Sequence, residues 1–128
     1  MNVLLDTVAF LWWVTDDRQL SPEAIGLIGD SSRRVFLSPV SVWEIVVKHG
    51  LGRLPLPEDP AILVPRLRAD HGFEELPLTE GAVLQLGRLP VLHRDPFDRM
   101  LLCQAIEEGL TVVTPDQQLR QYPVRTAW

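Results

Sequence analysis

The segment DPFDRMLLCQAIEEGLTVVTPD, residues 95–116, reads as a helix, a stop and a strand in direct succession. Asp95 and Pro96 are an N-cap and an N1 proline: the aspartate accepts free amides of the first turn, and proline lacks an N–H where none is needed. The predicted helix runs to Glu108, and Gly109 ends it because glycine alone enters the left-handed conformation without strain. Leu110 to Thr114 is then the clearest strand in the chain. Its run through Val112 and Val113 is continuous rather than alternating, so it is a strand covered on both faces. Beyond Thr114-Pro115, Asp116 begins a short helix to about Gln121.

The same grammar holds outward from this segment. Asn2 to Leu5 reads as a short buried strand ending at Asp6, with a helix over Val8 to Val14 directly after it. Ser21-Pro22-Glu23 opens a helix to about Asp30, and Val35 to Ser38 is a second strand. Pro39 starts a helix through about His49, stopped by Gly50 and Gly52. Asp59-Pro60 opens another to about His71, Phe73 to Leu76 is a third strand, and Thr79-Glu80 begins a helix to about Arg88. Apolar strands separated by helices imply a parallel sheet with helices on both faces, so the predicted fold is α/β, a three-layer α/β/α sandwich with a central parallel sheet. Pro55-Leu-Pro57 and Leu89-Pro90 are turns too short to be linkers, and residues 1–128 read as a single domain.

Composition narrows the function. With 46% hydrophobic residues the 128-residue chain has apolar mass for a real core, which excludes disorder. No apolar run reaches the length of a membrane span, and Met1 leads into Val3-Leu4-Leu5 without a basic leader, so the expectation is a cytoplasmic protein with no membrane partner. The lone cysteine, Cys103, sits among Leu101, Leu102 and Ile106 and reads as a small buried hydrophobe, not a catalytic thiol. Twelve Lys and Arg against 17 Asp and Glu give a net charge of −5, which disfavours broad binding to a phosphate backbone. A local device would be needed, and eleven of the twelve cations are arginine, the better fork for phosphate. There is no Gly-rich phosphate loop and no Gly-x-Ser-x-Gly elbow. His49 and His71 read as surface or C-terminal capping residues, and His93 as a residue at a crevice rim.

In such sheets the functional crevice lies beyond the carboxyl ends of the strands. Asp6 and Asp116 both follow strands and face that edge, although each has the ordinary alternative of a cap or turn residue. Asp98 shares the helical stripe of Leu101, Leu102 and Ala105; its alternative is the N3 acid of a capping box begun by Asp95. Glu44 lies in the second turn of its helix, four residues before Lys48, and an i to i+4 ion pair would account for it. The joint pattern is more informative than any one residue. Four carboxylates at one sheet edge repel and resist desolvation unless a cation neutralises them, and an all-oxygen set favours Mg²⁺ or Mn²⁺.

Leu4-Leu5-Asp6-Thr7, Ser41-Val42-Trp43-Glu44-Ile45, His93-Arg94-Asp95-Pro96-Phe97-Asp98-Arg99 and Thr114-Pro115-Asp116 together resemble the acidic motifs of PIN-domain ribonucleases, nearest to the VapC-type toxins of type II toxin–antitoxin systems. The resemblance spans essentially the whole chain. It implies a Mg²⁺- or Mn²⁺-dependent endoribonuclease with Asp6, Glu44, Asp98 and Asp116 as catalytic metal ligands. Thr7 and Thr114 would support them by hydroxyl hydrogen bonds, and Asp95, also acidic in the family pattern, would cap the helix or share in the site. It implies further an RNA substrate, a homodimer and a cognate antitoxin. Arg94 and Arg99, next to the acidic motif, are the candidate RNA-binding cations, with an ion pair to Asp95 as the ordinary alternative for Arg99. Trp12 and Trp13 point about 100° apart on the first helix and cannot both face the core, so one is a candidate antitoxin anchor, with an aromatic half-buried under a loop as the ordinary alternative.

Three other functions compete. A catalytically silent binding module on the same fold would have lost one or more acids, and none is missing. A phosphatase of the haloacid dehalogenase type wants a second aspartate two residues after Asp6, where Val8 stands. A DNA-directed nuclease of the same fold is the nearest rival, since nothing in the sequence recognisably reads a ribose 2′-hydroxyl.

Overall fold

The computed structural model describes residues 1–128. Its elements, in chain order, are β1 (Val3–Leu5), α1 (Thr7–Val14), α2 (Pro22–Gly29), β2 (Val35–Leu37), α3 (Pro39–Gly50), α4 (Pro60–Asp70), β3 (Glu74–Glu75), α5 (Glu80–Gln85), α6 (Pro96–Glu108), β4 (Thr111–Val113) and β5 (Thr126–Ala127), with a 3-10 turn at Leu119–Gln121. All four strand pairings are parallel, in the order β3-β2-β1-β4-β5. The chain builds outward from β1 on one side through β2 and β3, then returns to the other side with β4 and β5. The order therefore reverses between β1 and β4, where Leu5 pairs with Val113.

Side chains alternate across the three inner strands and divide the core in two. Val3, Leu5, Val35, Leu37 and Val113 face one cluster, which α1, α2, α3 and α4 cover through residues such as Phe10, Ala24, Ile45 and Val64. Leu4, Phe36 and Val112 face the other, closed by Leu101, Leu102, Cys103 and Ala105 of α6 with Leu119 and Tyr122. The three-layer α/β/α sandwich with its parallel sheet is thus present. No helix is long and apolar enough to cross a membrane.

Local chemistry sets the helix starts. Asp6, Ser21, Ser38, Asp59, Thr79 and Asp95 each accept a backbone amide of the turn they begin, and Pro22, Pro39, Pro60 and Pro96 follow four of them. Gly109 ends α6 at φ 67°. Cys103 is fully buried, as its neighbours imply.

Four expectations change. α5 stops at Gln85, because Leu86, Gly87 and Arg88 donate to Val83, Leu84 and Gln85 three residues back, which tightens the last turn. The helix expected over 116–121 is a single 3-10 turn, since the Asp116 carboxylate accepts the Gln118 amide at 2.9 Å and holds a turn there. β5 was not foreseen: it is two half-buried residues long, without an apolar run to announce it. Neither Trp12 nor Trp13 offers the exposed ring of an anchor. Trp12 packs against Trp128 with ring centroids 5.8 Å apart, and Trp13 Nε1 donates to His71 Nδ1 at 3.2 Å. The exposed tryptophan is Trp43, at 55%, lying edge-on to Phe97.

Candidate active site

The reversal of strand order opens a crevice at the carboxyl ends of β1 and β4. A cleft of about 190 Å³ there is lined by Asp6, Thr7, Val8, Glu44, Lys48, Asp95, Asp98, Pro115 and Asp116. Residues scattered over 110 positions meet because each closes or opens an element pointing at the same edge. Five carboxylates share the cleft with one ammonium.

Asp6 follows β1 directly, and its amide extends the ladder by donating to Val113 O at 3.1 Å. Its carboxylate caps α1 through Ala9 N at 2.7 Å, with Thr114 beside it. Asp6 therefore caps α1 and lines the cleft at once. Burial pushes the Asp6 carboxyl up to about 7, with the nearby charges of Asp98 and Glu44 adding to it and the Thr114 and Ala9 hydrogen bonds opposing.

Glu44 arrives from the second turn of α3 and is buried. Thr7 is placed to donate to its Oε1 at 2.7 Å and also lies 3.0 Å from Ser41 Oγ, while Lys48 forms the expected i to i+4 ion pair with Oε2. That pair raises the Lys48 pKa, chiefly through its hydrogen bond to Glu44. Asp98 enters from the first turn of α6. Burial first, then Asp95 and Glu44, lift its carboxyl to about 6, against a hydrogen bond from His93. Asp116 is half-buried at the far wall, and its amide donates to Thr114 Oγ1 at 3.0 Å.

Asp95 is the N-cap of α6, its Oδ1 accepting Phe97 N at 2.9 Å and Asp98 N at 3.1 Å. Asparagine presents the same acceptor, so Asp95→Asn should leave stability unchanged, whereas Asp95→Ala should lose about 1 kcal/mol in urea denaturation. Equal losses for both would show that the charge, not the cap, matters.

The two arginines part company. Arg94 is exposed and without an ion pair, at the outer end of the acidic motif. Arg99 Nη1 donates to Pro90 O at 2.9 Å and to Tyr122 Oη at 3.1 Å, and the residue forms no ion pair with Asp95. Two residues that sequence reading did not place in the site touch it from behind, Ser41 through Thr7 and Tyr122 through His93. Ser41 stood in a quoted motif; nothing in the sequence marked Tyr122.

As arranged, no three acidic or imidazole side chains close on one point as metal ligands do. The donor set is nevertheless one that a hard divalent cation suits. It is all oxygen, it carries more negative charge than Lys48 offsets, and burial together with neighbouring carboxylates drives two of its acids toward their protonated forms.

A family model described as the PIN domain matches residues 3–124 of the chain. Among solved structures, the fold is similar to VapBC2 from Rickettsia felis bound to a DNA fragment from its promoter, with a TM-score of 0.73 and 15% identity over 100% of this chain and 99% of that one. It is similar also to DNA-bound VapBC from Salmonella typhimurium (TM-score 0.72, 20% identity, 99% of this chain and 97% of that one). A third is FitAcB from Neisseria gonorrhoeae (TM-score 0.64, 20% identity, 97% and 95%). No curated protein sequence matches.

Proposed function

The chain belongs to the PIN domain family, and from that premise we propose that it is a Mg²⁺- or Mn²⁺-dependent endoribonuclease, the toxin of a toxin–antitoxin pair. The observation that carries the reading is the gathering of Asp6, Glu44, Asp98 and Asp116 in one cleft at the switch point of the sheet. Hydrolysis of a phosphodiester needs an activated water and relief of charge on the phosphoryl oxygens, and a carboxylate-held divalent ion supplies both without a serine or cysteine nucleophile. The four acids would hold that ion. The Ala9 amide on Asp6 and the Thr7 hydroxyl on Glu44 orient two of them, which fixes lone-pair directions before the ion arrives. Lys48 at the cleft and exposed Arg94, next in sequence to the cleft residue Asp95, are the cations we assign to a phosphate backbone in a chain of net charge −5.

An antitoxin partner is supported by a second surface. Phe10, Leu11, Val14, Ile45, Leu63 and Leu67 are among the residues lining an apolar groove between α1, α3 and α4, and the similar solved structures include VapBC complexes. This groove replaces the Trp12 and Trp13 rings as the proposed antitoxin seat. Exposed apolar side chains at Val83, Leu84, Val91 and Leu92 are available for a homodimer to cover, and a cytoplasmic location fits an RNA substrate.

The deciding experiment is incubation of purified protein with total RNA, with single- and double-stranded DNA in parallel arms, followed by mapping of new ends. Cleavage of RNA should require Mg²⁺ or Mn²⁺, vanish in EDTA and return when the ion is restored in excess. Undiminished cleavage in chelator would remove the metal mechanism, and cutting confined to DNA would favour the DNA-directed nuclease.

A further inference from the structure

Tyr122 follows the 3-10 turn and is buried to within 4% of full coverage. Its hydroxyl oxygen lies 3.1 Å from the amide nitrogens of Leu92 and His93, 3.1 Å from Arg99 Nη1 and 2.8 Å from His93 Nδ1. Backbone amides and a guanidinium can only donate. A phenol has a single proton to give, and with three N–H groups turned on its lone pairs the one acceptor among its partners is His93 Nδ1. A neutral imidazole that accepts at Nδ1 carries its proton on Nε2. That nitrogen stands 3.4 Å from Asp98 Oδ2, and the imidazole is nearly buried, edge-on to the Tyr122 ring with centroids 5.4 Å apart.

We propose that Tyr122 is a positioning residue: it locks His93 in the Nε2–H tautomer and through that ring orients the Asp98 carboxylate in the cleft. The contact with Nδ1 is the shorter of the two, so the tautomer is imposed from the Tyr122 side and handed on to Asp98. Arg99 belongs to the same device. Its Nη1 bridges Tyr122 Oη and Pro90 O, which pins the loop carrying His93 to the first turn of α6. The chain of contacts thus ties the segment after β4 to the acid that enters from α6.

The catalytic consequence rests on the nuclease reading above; the tautomer does not. Long-range ¹H–¹⁵N NMR of the metal-free protein should show His93 protonated at Nε2 at a pH where the ring is neutral. Asp98→Ala should leave it so, because Tyr122 still occupies Nδ1, while Tyr122→Phe should release it to a mixture of tautomers. In RNA cleavage with Mg²⁺, Tyr122→Phe and His93→Ala should each lower kcat about tenfold with KM within twofold, as loss of an orienting partner does. An Nδ1–H tautomer in the wild type, or a tautomer that switches in Asp98→Ala, overturns the proposal even if Tyr122→Phe does not fold. So does an unchanged tautomer in a folded Tyr122→Phe. If the wild-type protein cuts no RNA while the NMR results hold, the nuclease reading fails and the Tyr122–His93 lock stands.

Discussion

Replacing Asp6 with asparagine is expected to reduce RNA cleavage at least a hundredfold and, in the same molecule, to make the metal-free fold more stable at pH 8. The two effects share a cause. Asp6 is enclosed at the end of β1 with Asp98 and Glu44 nearby, and its carboxyl is raised from an ordinary 3.8 to about 7. Below about pH 4 the native and unfolded chains both carry the proton. Between 4 and 7 the native chain keeps a proton that the unfolded chain releases, so stability falls as pH rises; above 7 the whole penalty is present. At roughly 1.4 kcal/mol for each tenfold displacement of the equilibrium, the penalty at pH 8 is on the order of 4 kcal/mol. Asparagine still accepts the Ala9 amide as an N-cap but carries no charge.

Chemical denaturation in EDTA at pH 5 and pH 8 should therefore show the wild type weaker at the higher pH and Asp6→Asn gaining on it there. Asp98→Asn should show the same direction over a window ending near 6, where burial and the Asp95 charge place that carboxyl. The activity loss follows from removing an anionic oxygen from the set that holds the cation. A variant that stays active, or one that is destabilised equally at both pH values, would mean that Asp6 acts mainly as the cap of α1.

The second large effect is purely structural. Gln104→Leu should destabilise the protein by about 2 to 4 kcal/mol, although leucine matches its neighbours and fits a helix. Gln104 is 1% exposed, and its Oε1 accepts the Ser38 hydroxyl while its Nε2 donates to Leu76 O at 3.1 Å. Ser38 is itself the N-cap of α3, with its Oγ accepting Val40 N at 3.0 Å. One amide thus joins α6 to the start of the helix bearing Glu44 and to the turn after β3. Leucine leaves the buried Ser38 O–H without an acceptor and the buried Leu76 carbonyl without its side-chain donor, and each such loss costs about 1 to 3 kcal/mol. Urea unfolding monitored by tryptophan fluorescence would measure it. A loss below 1 kcal/mol would mean that water reaches both groups or that the turn relaxes around them.

Gln104 also marks a boundary in what a linear reading supplies. Between Cys103 and Ala105 it is a polar residue on a mostly apolar helix, and nothing within several residues of it names Ser38 or Leu76 as partners. Arg99 is the same case. Beside Asp95 and Asp98 it reads as a substrate cation or a surface ion pair, and nothing local announces the bonds its Nη1 makes to Pro90 and Tyr122, the latter 23 positions away. Trp12 and Trp13 are another, half-covered by contacts with Trp128 and His71 from distant parts of the chain.

What the sequence determined by itself is whatever is decided within about a turn of chain. Asp95-Pro96 to Gly109 bounds α6 to the residue, four prolines stand at N1, and the uninterrupted apolar runs name β1, β2 and β4 as buried parallel strands. Caps, proline φ and the left-handed glycine are local energies, independent of what the segment later packs against. The tertiary structure alone decided the rest. Strand order is set by pairings such as Leu5 with Val113, a separation of over a hundred residues, and only that order brings Asp6 and Asp116 to one edge with Glu44 and Asp98. β5 exists because β4 offers an open edge to Thr126 and Ala127, not because those two residues favour a strand. The raised carboxyls of Asp6 and Asp98 likewise come from burial and from one another, quantities that no stretch of sequence contains until the chain has closed around them.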